Sequence, residues 1–170
     1  LKAVLASGKV KNVRELGFSE DDPRADLNGS DAARKILILA RECGIPLELA
    51  DVRVESFVSR ASARAKSVEA FLAQLKKEDA LFEKKKRAAE KSGKRLRYIA
   101  TLEKGSATVA LRAVPSTHPF YDLSGSDNIV AFTTARYKDT PLVVKGPGAG
   151  AEVTAAGVFA DILRTARGVL

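Results

Sequence analysis

Two alternating runs, Arg95–Glu103 and Ser106–Val114, flank the dipeptide Lys104-Gly105, and they constrain the fold more than any other stretch of the chain. In the first run Leu96, Tyr98, Ala100 and Leu102 fall on every second residue; in the second Ala107, Val109, Leu111 and Ala113 do. A period of two puts each set on one side of an extended strand, and a glycine-containing pair between two such runs marks a hairpin turn. The chain must build an antiparallel pair with an apolar face, and something else must cover that face.

Helical spacing supplies the cover. Ala32, Ile36, Leu39 and Ala40 predict a helix over Asp31–Cys43 that stops at Gly44, and Ile45-Pro46 begins a new segment. Residues 47–56 alternate weakly, as a short strand would. Ser67 is a helix cap, followed by Val68, Phe71, Leu72 and Leu75, then by Leu81, Phe82, Ala88 and Ala89 up to a stop at Ser92-Gly93. After a loop over Pro115–Asp127 come two β-like runs, Asn128–Thr134 and Pro141–Lys145. The second enters Gly146-Pro147-Gly148-Ala149-Gly150, which opens a helix over Ala151–Ala166 with Val153, Ala156, Gly157, Ala160 and Leu163 available for packing. Residues 1–16 read as the end of a helix or loop. The order predicts an α+β fold, a mainly antiparallel sheet covered by helices on one face.

Length and composition narrow the class. A chain of 170 residues with 45% hydrophobic content can bury one good core. No apolar run approaches the roughly 20 residues that span a bilayer, so a soluble protein with no membrane partner is expected. The single cysteine, Cys43, rules out an internal disulfide framework, fits a reducing cytoplasm and reads as a small buried residue. The chain starts at Leu1 and holds no methionine, which reads as a piece of a longer polypeptide. The net charge of +8 is concentrated between Lys76 and Arg97, where ten basic residues face four acidic ones. Nucleic acid is one reading of that stretch. A solvated helix face explains it without a partner, because Glu83 with Arg87 and Lys86 with Glu90 are spaced to pair. Tyr98 is the only aromatic close to Arg95 and Arg97, which leaves little to stack a base on.

The density of chemistry is highest over Gly17–Lys35, where five carboxylates, a turn and a helix start occur together. Asn28 or Ser30 can cap the helix, Asp31 complements its dipole, and Asp31 and Lys35 stand four apart on one face. Glu20, Asp22 and Asp26 have only Arg24 as a nearby positive charge, so a cation, a metal or an amine ligand would be welcome. The glycine loop is a second candidate, since glycines let backbone amides approach an anion and a helix N-terminus offers free N–H groups. The alternative for that loop is a tight turn between a strand and a closely packed helix. His118, the only histidine, cannot assemble a zinc site alone, and no metal site is expected.

The run Gly-Phe-Ser-Glu-x-Asp-Pro-Arg-x-Asp-Leu-Asn-Gly-x-Asp-x-Ala-Arg-Lys resembles the signature of homoserine dehydrogenase, as the free enzyme or as the C-terminal part of a bifunctional aspartokinase-homoserine dehydrogenase. The run Val-Val-Lys-Gly-Pro-Gly-Ala-Gly-Ala-Glu-Val-Thr-Ala-Ala-Gly-Val-Phe-Ala-Asp resembles the C-terminal block of the same family. His-Pro-Phe followed by Gly125-Ser126-Asp127-Asn128 is similar to the family's pattern near its domain junction. The resemblance runs from about Gly17 to Ala166. Phe18 stands where many members have Tyr, Asp21 replaces the usual Pro, and Ala25 an acid.

What the resemblance implies is a catalytic and dimerising α+β substrate domain without its dinucleotide-binding domain. Residues 1–145 would be the substrate and dimerisation region, and residues 146–170 a glycine loop and helix packing toward the absent cofactor domain. The implied reaction is NADH- or NADPH-dependent reduction of L-aspartate 4-semialdehyde to L-homoserine, on the path to threonine and methionine, in a homodimer or higher oligomer. It puts Glu20, Asp31 and Lys35 on substrate-binding and proton-donor positions, Asp26 on a substrate or supporting position, and Gly148, Ala149 and Gly150 beside the cofactor. Hydride addition to an aldehyde drives charge onto its oxygen, and Lys35, held by Asp31, is suited to protonate it. The alternative function is a non-catalytic dimerisation or regulatory module.

Overall fold

The computed structural model describes residues 22–124, 127–148 and 151–168, with the side chains of residues 25 and 26 outside that description. The chain divides into two compact units, Leu1–Ser116 and Thr117–Leu170. Among the described residues no helix is long and apolar enough to cross a membrane.

The first unit contains helix α1 (Pro23–Leu27), helix α2 (Ser30–Glu42), a 3-10 turn (Leu49–Asp51) and the two-residue strand β1 (Arg53–Val54). Helices α3 (Arg60–Ala63) and α4 (Val68–Lys91) follow, then the hairpin β2 (Arg95–Glu103) and β3 (Ser106–Val114). The hairpin has the expected register: Leu96 faces Ala113, Tyr98 faces Leu111, Ala100 faces Val109 and Leu102 faces Ala107. Its turn is left-handed at both positions, Lys104 at φ 50° and Gly105 at φ 76°, which matches the twist of the flanking strands.

Helix α2 covers that apolar face. Ala33, Ile36 and Leu37 form one core with Val52, Ala107 and Val109, and Ala32, Leu39, Tyr98, Ala100 and Leu102 pack against it. A second core joins Leu27, Val58, Phe71 and Leu75. Arg97, Ala110 and Val114 are buried on the opposite side of the hairpin. Helix α3 is tied to α4 by polar contacts: Ser59 caps α3, and Glu78 accepts from Ser59 Oγ at 2.5 Å and from the buried Ser62 hydroxyl.

The second unit holds β4 (Asp127–Phe132) antiparallel to β5 (Leu142–Pro147), and helix α5 (Ala151–Ala166). The expectation of one mainly antiparallel sheet needs correcting. The described strands form two sheets, and the first is mixed because β1 joins β3 in parallel. The physical reason is local: the chain after Pro115 turns at His118–Leu123 instead of continuing as a strand, and β4 takes its pairing from β5. Cys43 is also corrected: it is exposed, because it caps the C-terminus of α2 after the last buried residue, Ala40.

Candidate functional site

The site is built on a short helix that is tightly held. Asp22 caps α1 by accepting from the Arg24 amide at 3.0 Å, Pro23 occupies the first turn fully buried, and Leu27 enters the second core. Arg24 folds its guanidinium back onto both oxygens of Asp22, with Nε at 2.8 Å from each, and also donates to the Ala65 carbonyl. The Asp22 carboxylate, chiefly through these hydrogen bonds, holds the guanidinium above its ordinary range. Arg24 therefore ties α1 to the link between α3 and α4, and the Phe57 amide donates to the Leu27 carbonyl at 3.3 Å.

The chain then turns sharply into α2. Gly29 is the N-cap of α2, without a side-chain cap, and Asn28 just before it closes the turn, its Oδ1 accepting from the Ser30 amide at 2.8 Å; neither Asn28 nor Ser30, the two expected caps, holds that position. Gly29 has φ +82° and lies against Tyr98 and Val54. Tyr98 donates to the Glu55 carbonyl at 2.8 Å and its ring lies 4.3 Å from that of Phe57. Burial, and then the charge of Glu55, push its phenol above the usual range.

From this anchored start α2 presents Asp31 and Lys35 one turn apart, with Nζ 2.9 Å from Oδ2. Both side chains are nearly two-thirds exposed, so an incoming ligand can reach the ammonium and the carboxylate together. Glu20, Ala149 and Gly150 lie outside the described residues, as do the Asp26 side chain and residues 1–16, Phe18 and Asp21. Sequence reasoning noticed Arg24 only as a lone positive charge. The Asp-Pro-Arg order, an acid just before a helix-starting proline, was the available signal for the clamp.

In the second unit β5 runs two residues further than expected and takes in Gly146 and Pro147, so of the expected glycine loop only Gly148 lies, among the described residues, between β5 and α5. Gly148 is described, and its side-chain space is taken by Asn128. His118 serves the turn around it: Nδ1 accepts from the Phe120 amide at 3.1 Å, and the two rings meet edge to face at 4.9 Å. The basic part of α4 is substantially answered within the helix. Arg87 meets Glu83 at 3.0 Å, Lys86 lies 3.8 Å from Glu83 and 3.9 Å from Glu90, and Lys85 sits over the Phe82 ring. Arg87, and next Lys86, hold the Glu83 carboxyl below its ordinary value.

The family model for homoserine dehydrogenase matches residues 4–163. A chloroplastic bifunctional aspartokinase/homoserine dehydrogenase 2 of Zea mays is 51% identical over 162 residues, which is 94% of this chain and 18% of the maize protein. Among solved structures, a Candida auris protein of unknown function superposes with a TM-score of 0.88 at 40% identity, covering 96% of this chain and 46% of the other. A putative homoserine dehydrogenase from Archaeoglobus fulgidus gives a TM-score of 0.67 at 29% identity, covering 91% and 41%. The chain thus spans under a fifth of the maize relative and less than half of either solved chain.

Proposed function

The chain belongs to the homoserine dehydrogenase family, and on that premise we propose that it carries the substrate-binding and proton-donating part of a site that reduces L-aspartate 4-semialdehyde to L-homoserine, toward threonine and methionine. The observation that carries the reading is the exposed Asp31–Lys35 pair at the start of a helix whose entry is locked by Arg24, Asn28 and Gly29.

Lys35 gives its proton to the aldehyde oxygen as negative charge develops there. Asp31 holds the ammonium in place before transfer, and the neutral amine left afterwards takes a proton back from solvent, to which both side chains are open. Glu20 and Asp26 take the α-ammonium or the hydroxyl end of the substrate, to which carboxylates are the complementary charge. A bound NADH or NADPH supplies the hydride.

The residues described fit such a cofactor at one place. Strand β5 runs into a glycine segment ahead of the sixteen-residue helix α5, whose N-terminus favours an anion. Gly148, with Ala149 and Gly150, is the cofactor contact in this reading. We divide the chain by role at residues 145 and 146. Helix α5 buries none of its residues within its unit and exposes Val158, Phe159 and Ile162, which supports docking on a dinucleotide-binding domain. Strand β5 exposes Leu142, Val143 and Val144, which supports a dimer formed through the strands. A free, exposed Cys43 suits a reducing compartment such as the cytoplasm.

The test is homoserine-dependent reduction of NADP+ or NAD+ by the natural full-length protein. Turnover is the expected result. A folded dimer that shows none would leave the chain a dimerisation or regulatory module.

A further inference from the structure

We propose that the outer seam of α4 docks an acidic helix of a partner protein, one that carries a carboxylate at every seventh residue. Lys77, Lys84 and Lys91 recur at that interval, all exposed and about 10 Å apart along the helix axis. They lie on the side turned away from the buried Phe71, Leu75, Phe82 and Ala89. Gln74, Leu81 and Ala88 fall between them, so the seam runs 74, 77, 81, 84, 88, 91, the alternating three and four of a helix that packs along another. Leu81, at its middle, is 53% exposed.

The helix that carries these charges does not answer them. Within α4 the residues three and four away are Ala73, Gln74, Ala80, Leu81, Arg87 and Ala88, none of them an acid. Glu83 and Glu90 lie round the helix and take Lys86 and Arg87 instead. Among the described residues none of the three lysines forms an ion pair. A line of like charges at one pitch is complementary to carboxylates at the same pitch, and a second helix supplies them with an apolar residue between to meet Leu81. A second copy of α4 would set lysine against lysine, or leave lysines unpaired over Leu81 and Ala88. The seam holds neither arginine nor an aromatic ring, which nucleic acid would use.

The experiment measures, by fluorescence anisotropy at low and high salt, the binding of a labelled synthetic peptide to the natural full-length protein. The peptide is a helix with Glu at every seventh residue and Leu between. A peptide of the same composition with its Glu residues moved off that interval, and a single-stranded oligodeoxynucleotide, are the comparisons. The spaced peptide should bind at least about tenfold tighter than the rearranged one and lose affinity as salt rises. Lys77→Gln/Lys84→Gln/Lys91→Gln should weaken it about tenfold, the scale of three exposed ion pairs, and Leu81→Asp should abolish it. All four side chains are exposed, so these changes leave the cores untouched, and none belongs to the site above, so the outcome is independent of that reading. No binding, equal binding of the two peptides, or equal binding by wild type and the triple lysine variant would overturn the proposal. An oligonucleotide held more tightly than the spaced peptide would replace it with a nucleic-acid surface.

Discussion

Gly29 and Tyr98 are in mutual contact such that a Cβ at position 29 would stand 2.2 Å from the Tyr98 hydroxyl oxygen and 2.7 Å from Val54 Cγ1. The glycine also sits at φ +82°, where a side chain is strained. One residue thereby sets both the start of α2, which carries Asp31 and Lys35, and its seat on the hairpin. Gly29→Ala should destabilise the chain by about 2 kcal/mol or more, combining backbone strain with the steric conflict. Tyr98→Phe in the same background should recover part of that loss by removing the nearest atom. Urea unfolding of the four variants measures the coupling, and simple additivity would show that the contact is not what Gly29 serves.

Lys35→Ala in the natural full-length protein should lower turnover at least about 100-fold, the usual scale for losing a general acid. Asp31→Asn keeps the shape but removes the charge that holds the ammonium 2.9 Å away, and should lower turnover by a smaller factor. Steady-state kinetics with saturating homoserine separates these outcomes. A near-normal rate for Lys35→Ala takes that residue out of the proton-donor role.

His118 is the one histidine and gives a direct pH reading of the second unit. Burial pushes its pKa below the ordinary value, and its Nδ1 must be unprotonated to accept from Phe120. A base whose folded pKa is depressed contributes stability that is present above the unfolded value, about 6.5, and is lost as pH falls through the folded one. The imidazole resonances should titrate with a midpoint below 6.5. Unfolding experiments should show the turn weakening toward acid, and His118→Asn should flatten that dependence. A midpoint above the ordinary value would contradict the burial argument.

Ser62 is fully buried and donates to Glu78, which also receives the Ser59 hydroxyl and amide. Glu78→Ala leaves the buried Ser62 hydroxyl with only the Ser59 hydroxyl, 3.3 Å away, and should cost about 1–3 kcal/mol in chemical unfolding. The double variant Glu78→Ala/Ser62→Ala should cost less than the sum of the single changes. Equal costs for exposed-surface controls would reduce the cluster to decoration.

Phe159 is 62% exposed on α5. In the 170-residue chain Phe159→Ala should leave the unfolding midpoint nearly unchanged, since no packing is lost. In the natural full-length protein it should lower the midpoint if α5 docks on a dinucleotide-binding domain. Identical behaviour in both contexts would remove that role for the helix. Sedimentation of the 170-residue chain at micromolar concentration tests the strand-mediated dimer, with a monomer counting against it.

The sequence by itself determined the local elements of this protein. The alternation of Leu96 to Leu102 and Ala107 to Ala113 specified the hairpin and its register, Ser67 and Gly44 marked helix ends, and the Asp31–Lys35 spacing specified their pairing. Each of these is a relation within a few residues or across one turn, where backbone geometry leaves few choices. Tertiary structure decided what no period encodes. It placed β1 parallel to β3, split the strands into two sheets, left Cys43 exposed, folded Arg24 onto the Ala65 carbonyl, set Gly29 against Tyr98, and left the apolar residues of α5 uncovered within their unit. Those outcomes depend on which distant surface reaches a residue first, and periodicity names the face to be covered without naming its partner.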